Sequence, residues 1–143
     1  MKKISLVCLL ILGTFYCNKT KPVPERILGV WEKTSSCTND KCETYPPEKV
    51  KQLMILRDGY AIYRNPDDPE QKRNIEYVLH LENTKSQLPE IAFRFLDLGF
   101  EIRYTIQKVS DTEMEFLQVR EATRKEPETT VIEFYKRVGT LSE

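Results

Sequence analysis

Several things are scarce in this 143-residue chain. There is one histidine and one tryptophan, and there are only 5 glycines. A single histidine leaves any Cys–His or Ser–His–Asp arrangement resting on His80 alone, which sits on the polar phase of its segment. The glycines form no phosphate-cradling loop. Net charge is also missing: 22 Lys plus Arg balance 22 Asp plus Glu, which argues against a nucleic-acid binder. No apolar run reaches the roughly 20 residues that span a bilayer as a helix. Asp67, Asp68 and Glu70 cluster, but Pro66 and Pro69 break any calcium-loop pattern. The basic pairs Lys72-Arg73 and Arg124-Lys125 read as solvated loop charges. No cofactor, metal or catalytic residue is expected, and the chain is expected not to be an enzyme. A length of 143 residues fits one domain, and a monomer is expected.

The longest apolar stretch is at the start. Met1-Lys2-Lys3 is followed by the apolar run Ile4–Leu12, the form of an export signal. Cys17 follows the core after Thr14-Phe15-Tyr16. A cysteine at that point resembles a bacterial lipoprotein signal, in which the cysteine is lipidated and becomes the mature N-terminus. Thr14 and Tyr16 depart from the usual lipobox; the looser lipoboxes of spirochaetes make those bacteria a possible source. The resemblance implies a membrane anchor through Cys17, in the outer membrane, with secreted or periplasmic protein as the alternative. Removing residues 1–16 takes Lys2 and Lys3 and no acid, leaving 20 bases against 22 acids. Residues 17–25 contain two prolines and read as an extended lipidated tether.

Four cysteines are present, and Cys8 leaves with the signal. Cys37 and Cys42 flank Thr38-Asn39-Asp40-Lys41, a polar and turn-prone run. In an oxidising compartment such a pair forms a disulfide, here closing a short loop. Zinc would need about four ligands, which one histidine and one cysteine pair do not supply.

From Arg26 onward the dominant period is two. Ile75, Tyr77, Leu79 and Leu81 alternate with Glu76, Val78, His80 and Glu82. The same holds for Ile91, Phe93 and Phe95, and for Phe100, Ile102, Tyr104 and Ile106. That pattern describes strands with one face on a core and one in water. Asp58-Gly59 and Asp97-Leu98-Gly99 mark tight hairpins, and the prolines of Asn65–Glu70 mark a loop. Eight candidate strands result: 27–36, 51–56, 60–64, 75–82, 90–96, 100–108, 113–120 and 129–138. Residues 45–50 read as a loop or a short helical turn. The expected fold is all-β, an antiparallel up-and-down barrel of about eight strands, with a two-sheet sandwich as the alternative. The domain spans residues 26–138, with a tail over 139–143.

Leu28-Gly29-Val30-Trp31 opens the first strand with Gly-x-Trp. Leu53-x-Ile55-x-x-Asp58-Gly59-x-Ala61 forms a hairpin pattern, and Tyr104-x-Ile106-x-x-Val109-Ser110-Asp111-x-x-Met114-x-Phe116 a second. Phe134-Tyr135-x-Arg137 ends the series. In this order the segments resemble the lipocalin-like domains of small bacterial lipoproteins. The resemblance implies a barrel plugged at one end by Gly29, Trp31 and Arg137, and often an apolar cup. The aromatics Tyr77, Phe93, Phe95, Phe100, Tyr104, Phe116 and Phe134 are the expected ligand lining, or else the filling of a solid core. The expected partners are a membrane and a small apolar ligand, with a protein partner as the alternative. The domain is shorter than a full lipocalin, and no C-terminal helix pattern follows Val138.

Overall fold

The computed structural model describes residues 21–65, 68–82 and 87–141. The signal segment, Cys17 and Asp67 lie outside the described residues, as do the side chains of Asp68, Glu70, Lys72 and Arg73.

Nine strands form one antiparallel sheet. They are β1 (Gly29–Thr38), β2 (Lys41–Thr44), β3 (Lys51–Ile55), β4 (Tyr60–Asn65), β5 (Asp68–His80), β6 (Glu90–Phe95), β7 (Phe100–Val109), β8 (Glu113–Arg120) and β9 (Thr129–Gly139). From β3 to β9 each strand pairs with the next, and β9 returns to β1, so the sheet closes on itself. The result is an eight-stranded up-and-down barrel with one extra strand, and the sandwich alternative is excluded. Closure satisfies the backbone groups that an open edge would leave unpaired.

β2 is the extra strand. It shares one edge of β1 with β3: Gly29–Lys33 pair with Ile55–Lys51, and Ser35–Thr38 pair with Thr44–Lys41. The opposite edge of β1 runs along β9 from Val30↔Gly139 to Thr38↔Val131, with irregularities at Val30/Trp31 and Lys33/Ser35. Asn39 and Asp40 take positive φ values of 45° and 67° in the two-residue β1–β2 turn, a conformation their short polar side chains tolerate.

Two further elements differ from the sequence reading. β5 begins at Asp68 rather than Ile75, so part of the proline-marked loop, with Lys72 and Arg73, is strand. Pro69 is tolerated because it sits beside the hairpin, away from the sheet centre. Residues 23–26 form a short helix, α1 (Val23–Arg26), where an extended tether was expected. Pro47–Lys49 form a single 3₁₀ turn.

The core is the inward phase of the strands. Trp31, Ile55, Ile75, Ile91, Met114 and Phe116 are fully buried, together with Ile27 just before β1. Phe93, Tyr104, Phe116 and Tyr135 form a connected aromatic cluster with centroids 5.4–6.1 Å apart. Outside, Arg94 and Arg103 both donate to Glu101, at 2.7 and 2.6 Å. Those bonds hold the Glu101 carboxyl below its usual range.

Candidate functional site

The barrel has one plugged end and one open end. At the plugged end Trp31 is completely buried, and its Nε1 donates to the Ile27 carbonyl at 2.8 Å. The Arg137 guanidinium lies 4.1 Å from the Trp31 ring centroid. Desolvated cation–π pairs of this kind are worth about 2 kcal/mol. Arg137 also ties three chain segments together. Its Nη1 donates to the Leu28 carbonyl at 2.6 Å, its Nε to the Asp111 carbonyl at 2.7 Å, and its Nη2 to the Arg26 carbonyl. Burial pulls the guanidinium's pKa down from its ordinary value, an effect opposed by Asp111. Gly29 completes the plug. Its φ is +140°, and a Cβ there would collide with Arg137 Nη1 and lie 2.9 Å from the Gly139 carbonyl oxygen. Only glycine fits both the dihedral and the space.

The open end holds a cavity of about 300 Å³ inside the barrel. Leu53, Ile75, Phe93, Phe95 and Ile102 supply its apolar wall. Lys33, Tyr63, Asn65, Tyr104, Glu133 and Tyr135 supply polar groups. The volume is at the small end of the range for ligand pockets, about 300–1,000 Å³. Lys33 Nζ is paired with Glu133 Oε1, and the Tyr135 hydroxyl donates to Glu133 Oε2 at 2.7 Å. Lys33 and Glu133 are both buried, with side chains only 11% exposed. Lys33 Nζ also lies 5.8 Å from the Tyr45 ring centroid.

The Glu133 charge shapes the phenols around it. Burial first, then Glu133, pushes the Tyr63 pKa up to about 12. The same two causes, in the same order, raise Tyr104 and Tyr135 well above the ordinary value. All three hydroxyls are protonated at neutral pH, as phenols ordinarily are, and are available as donors.

Of the seven aromatics expected to line a cup, Phe93, Phe95 and Tyr104 do so. The other four are elsewhere. Phe116 is a fully buried core ring that packs against the cluster. Tyr77 packs on the core and donates to the Leu56 carbonyl at 2.6 Å. Phe100 stands at the rim, 44% exposed and stacked on Phe95 at 4.6 Å. Phe134 points outward, because Val131, Glu133 and Tyr135 hold the inward phase of β9. A polar inward residue between apolar outward ones, Ile132 and Phe134, inverts the usual pattern.

Sequence reasoning missed Lys33, Glu133, Tyr63 and Tyr135. A signal existed: Lys33 is two residues from the inward Trp31, and Glu133 lies midway between Val131 and Tyr135. Cys37 and Cys42 form a disulfide across β1–β2, directly opposite each other with Cα atoms 3.9 Å apart. The bridge closes the expected short loop, and because the two cysteines face each other in the β1–β2 hairpin it also staples two paired strands. His80 is exposed and does not line the cavity. Among the described residues no cluster of metal-ligating side chains occurs, and no helix is long and apolar enough to cross a membrane.

No family model matches the chain, and no curated protein matches it either.

Proposed function

We propose that this protein is an exported bacterial lipoprotein, non-enzymatic, whose lipocalin-like barrel holds a small apolar ligand. One observation carries the binding reading: the plugged barrel keeps an internal cavity of about 300 Å³ at its open end instead of filling it with its own side chains. Interiors of small barrels are ordinarily packed. A void that survives between Phe93, Phe95, Ile102 and Tyr104 is apolar space to which a ligand brings its own contacts.

The anchoring reading rests on Met1–Cys17 and is compatible with the barrel's polarity. Lys21, where the described chain begins, lies beside Arg137 at the plugged end. A tether from Cys17 would then leave the cavity mouth facing away from the anchoring membrane. Labelled fatty acid should enter the wild type and not a Cys17→Ser variant.

A fluorescence titration with a neutral naphthylamine dye tests the binding reading. Saturable binding of about one dye per chain is expected, and Ile102→Trp, which fills the cavity, should abolish it. Absence of saturation, or undiminished binding to the filled variant, would sink the reading.

A second reading has its own observation. The β6–β7 tip exposes Leu96, Leu98 and Phe100, by 57%, 51% and 44%. This apolar tip next to the mouth is where a protein partner would dock.

A further inference from the structure

The cavity's polar end sets the kind of head group it can take. Glu133 is already satisfied by Lys33 on one oxygen and by Tyr135 on the other. Lys33 is not: an ammonium carries three N–H donors, and Glu133 is its one hydrogen-bonded partner among the described residues. The Tyr63 hydroxyl likewise has no hydrogen-bond partner among the described residues, although Tyr63 lines the cavity. The site therefore offers surplus donors to whatever occupies it.

Its charge is balanced. The Lys33 cation is neutralised in place by Glu133, so a carboxylate entering this buried space would lose its hydration without gaining a free countercharge. A cationic head would have to displace Lys33 from Glu133, stranding one buried ammonium to seat another. Burial, and the nearby Glu133 charge after it, disfavour a phenolate at these three tyrosines and act in the same sense against an entering anion. A neutral oxygen acceptor meets neither obstacle.

We propose that the cavity selects a neutral amphiphile: an apolar body whose alcohol, carbonyl or ester oxygen accepts from the Tyr63 hydroxyl and the spare N–H groups of Lys33. The inference rests on the binding reading above and narrows it to one ligand class. A volume of about 300 Å³ equals that of about ten liquid water molecules. That suits a body of about eight carbons plus the head.

Calorimetric titrations of the purified protein near neutral pH with octan-1-ol, octanoate and octylammonium test the proposal. The three share one chain and differ in head charge. Octan-1-ol is expected to bind saturably, and both ions at least about tenfold more weakly. Tyr63→Phe removes one donor and should weaken octan-1-ol about fivefold, the worth of one hydrogen bond. It should leave the melting temperature unchanged, because the hydroxyl has no partner among the described residues. Tighter binding of either ion would overturn the proposal, as would equal binding of all three or a Tyr63→Phe variant indifferent to octan-1-ol. In each of those cases dye binding still upholds the broader reading. If neither the dye nor any of the three probes binds, the broader reading itself fails, and this proposal with it.

Discussion

Lys33 and Glu133 come from adjacent strands, a hundred residues apart in sequence, and meet inside the barrel. A buried ion pair is a weak source of stability, but removing one partner strands the other. Lys33→Met should therefore destabilise the protein by about 3 kcal/mol, and Lys33→Met with Glu133→Leu should recover most of that loss. Urea denaturation of the two variants measures both. At the plugged end, Gly29→Ala forces a side chain onto a φ of +140° against Arg137 and the Gly139 carbonyl. A cost of about 1–3 kcal/mol is expected from the dihedral alone. A midpoint unchanged in urea would show that the plug relaxes freely around the methyl group. The association of Gly29, Trp31 and Arg137 was expected only through the resemblance to lipocalin-like domains, and the contacts of Arg137 with Trp31 and Leu28 now give it a physical form. The inward phase of Lys33 and of Glu133 could be read from their neighbours two residues away, but their pairing could not, because it depends on β9 lying beside β1.

At the scale of elements, period-two alternation located eight of the nine strands. β2 escaped because Lys41-Cys42-Glu43-Thr44 is exposed along its whole length and has no apolar phase to reveal it. Its pairing gives the disulfide its setting. Cys37 and Cys42 join strands that already share a register, and Asn39 anchors the tip to β9 through Thr130. Because the closed loop is short, its loss costs about 2 kcal/mol on the chain-entropy view. A Cys37→Ser, Cys42→Ser variant should melt lower yet stay folded, since β1 keeps β3 and β9 as neighbours. Loss of the barrel's circular dichroism spectrum at room temperature would assign the bridge a larger share of the fold.

For the molecule as a whole, the interior should be visible in its alkaline limit. Burial raises four of the seven tyrosines, Tyr63, Tyr77, Tyr104 and Tyr135, above the ordinary phenol value. In the unfolded chain these phenols ionise near pH 10, whereas in the fold Tyr63 holds its proton to about 12. Above pH 10 the unfolded state thus binds fewer protons, and stability falls as pH rises. Ultraviolet titration should show the buried set ionising together with unfolding. At this scale the strands were legible from alternation and turns, whereas closure was not: the same pattern fits a sandwich, and the pairing of β9 with β1 decides for the barrel. Nor was the cavity, because its volume depends on which side chains face each other across strands, and Phe116, Tyr77, Phe100 and Phe134 all leave the space that their residue type suggested they would line.

A barrel interior that is a ligand site should respond to ligand residue by residue. Nuclear magnetic resonance of labelled protein titrated with octan-1-ol tests it most directly. Shifts are predicted to concentrate at Tyr63, Phe93, Phe95, Ile102 and Tyr104, with Phe134 on the outer face and Trp31 in the plug unmoved. Shifts confined to Leu96, Leu98 and Phe100, or spread over the outer face, would contradict it and leave the barrel as a scaffold for its exposed tip.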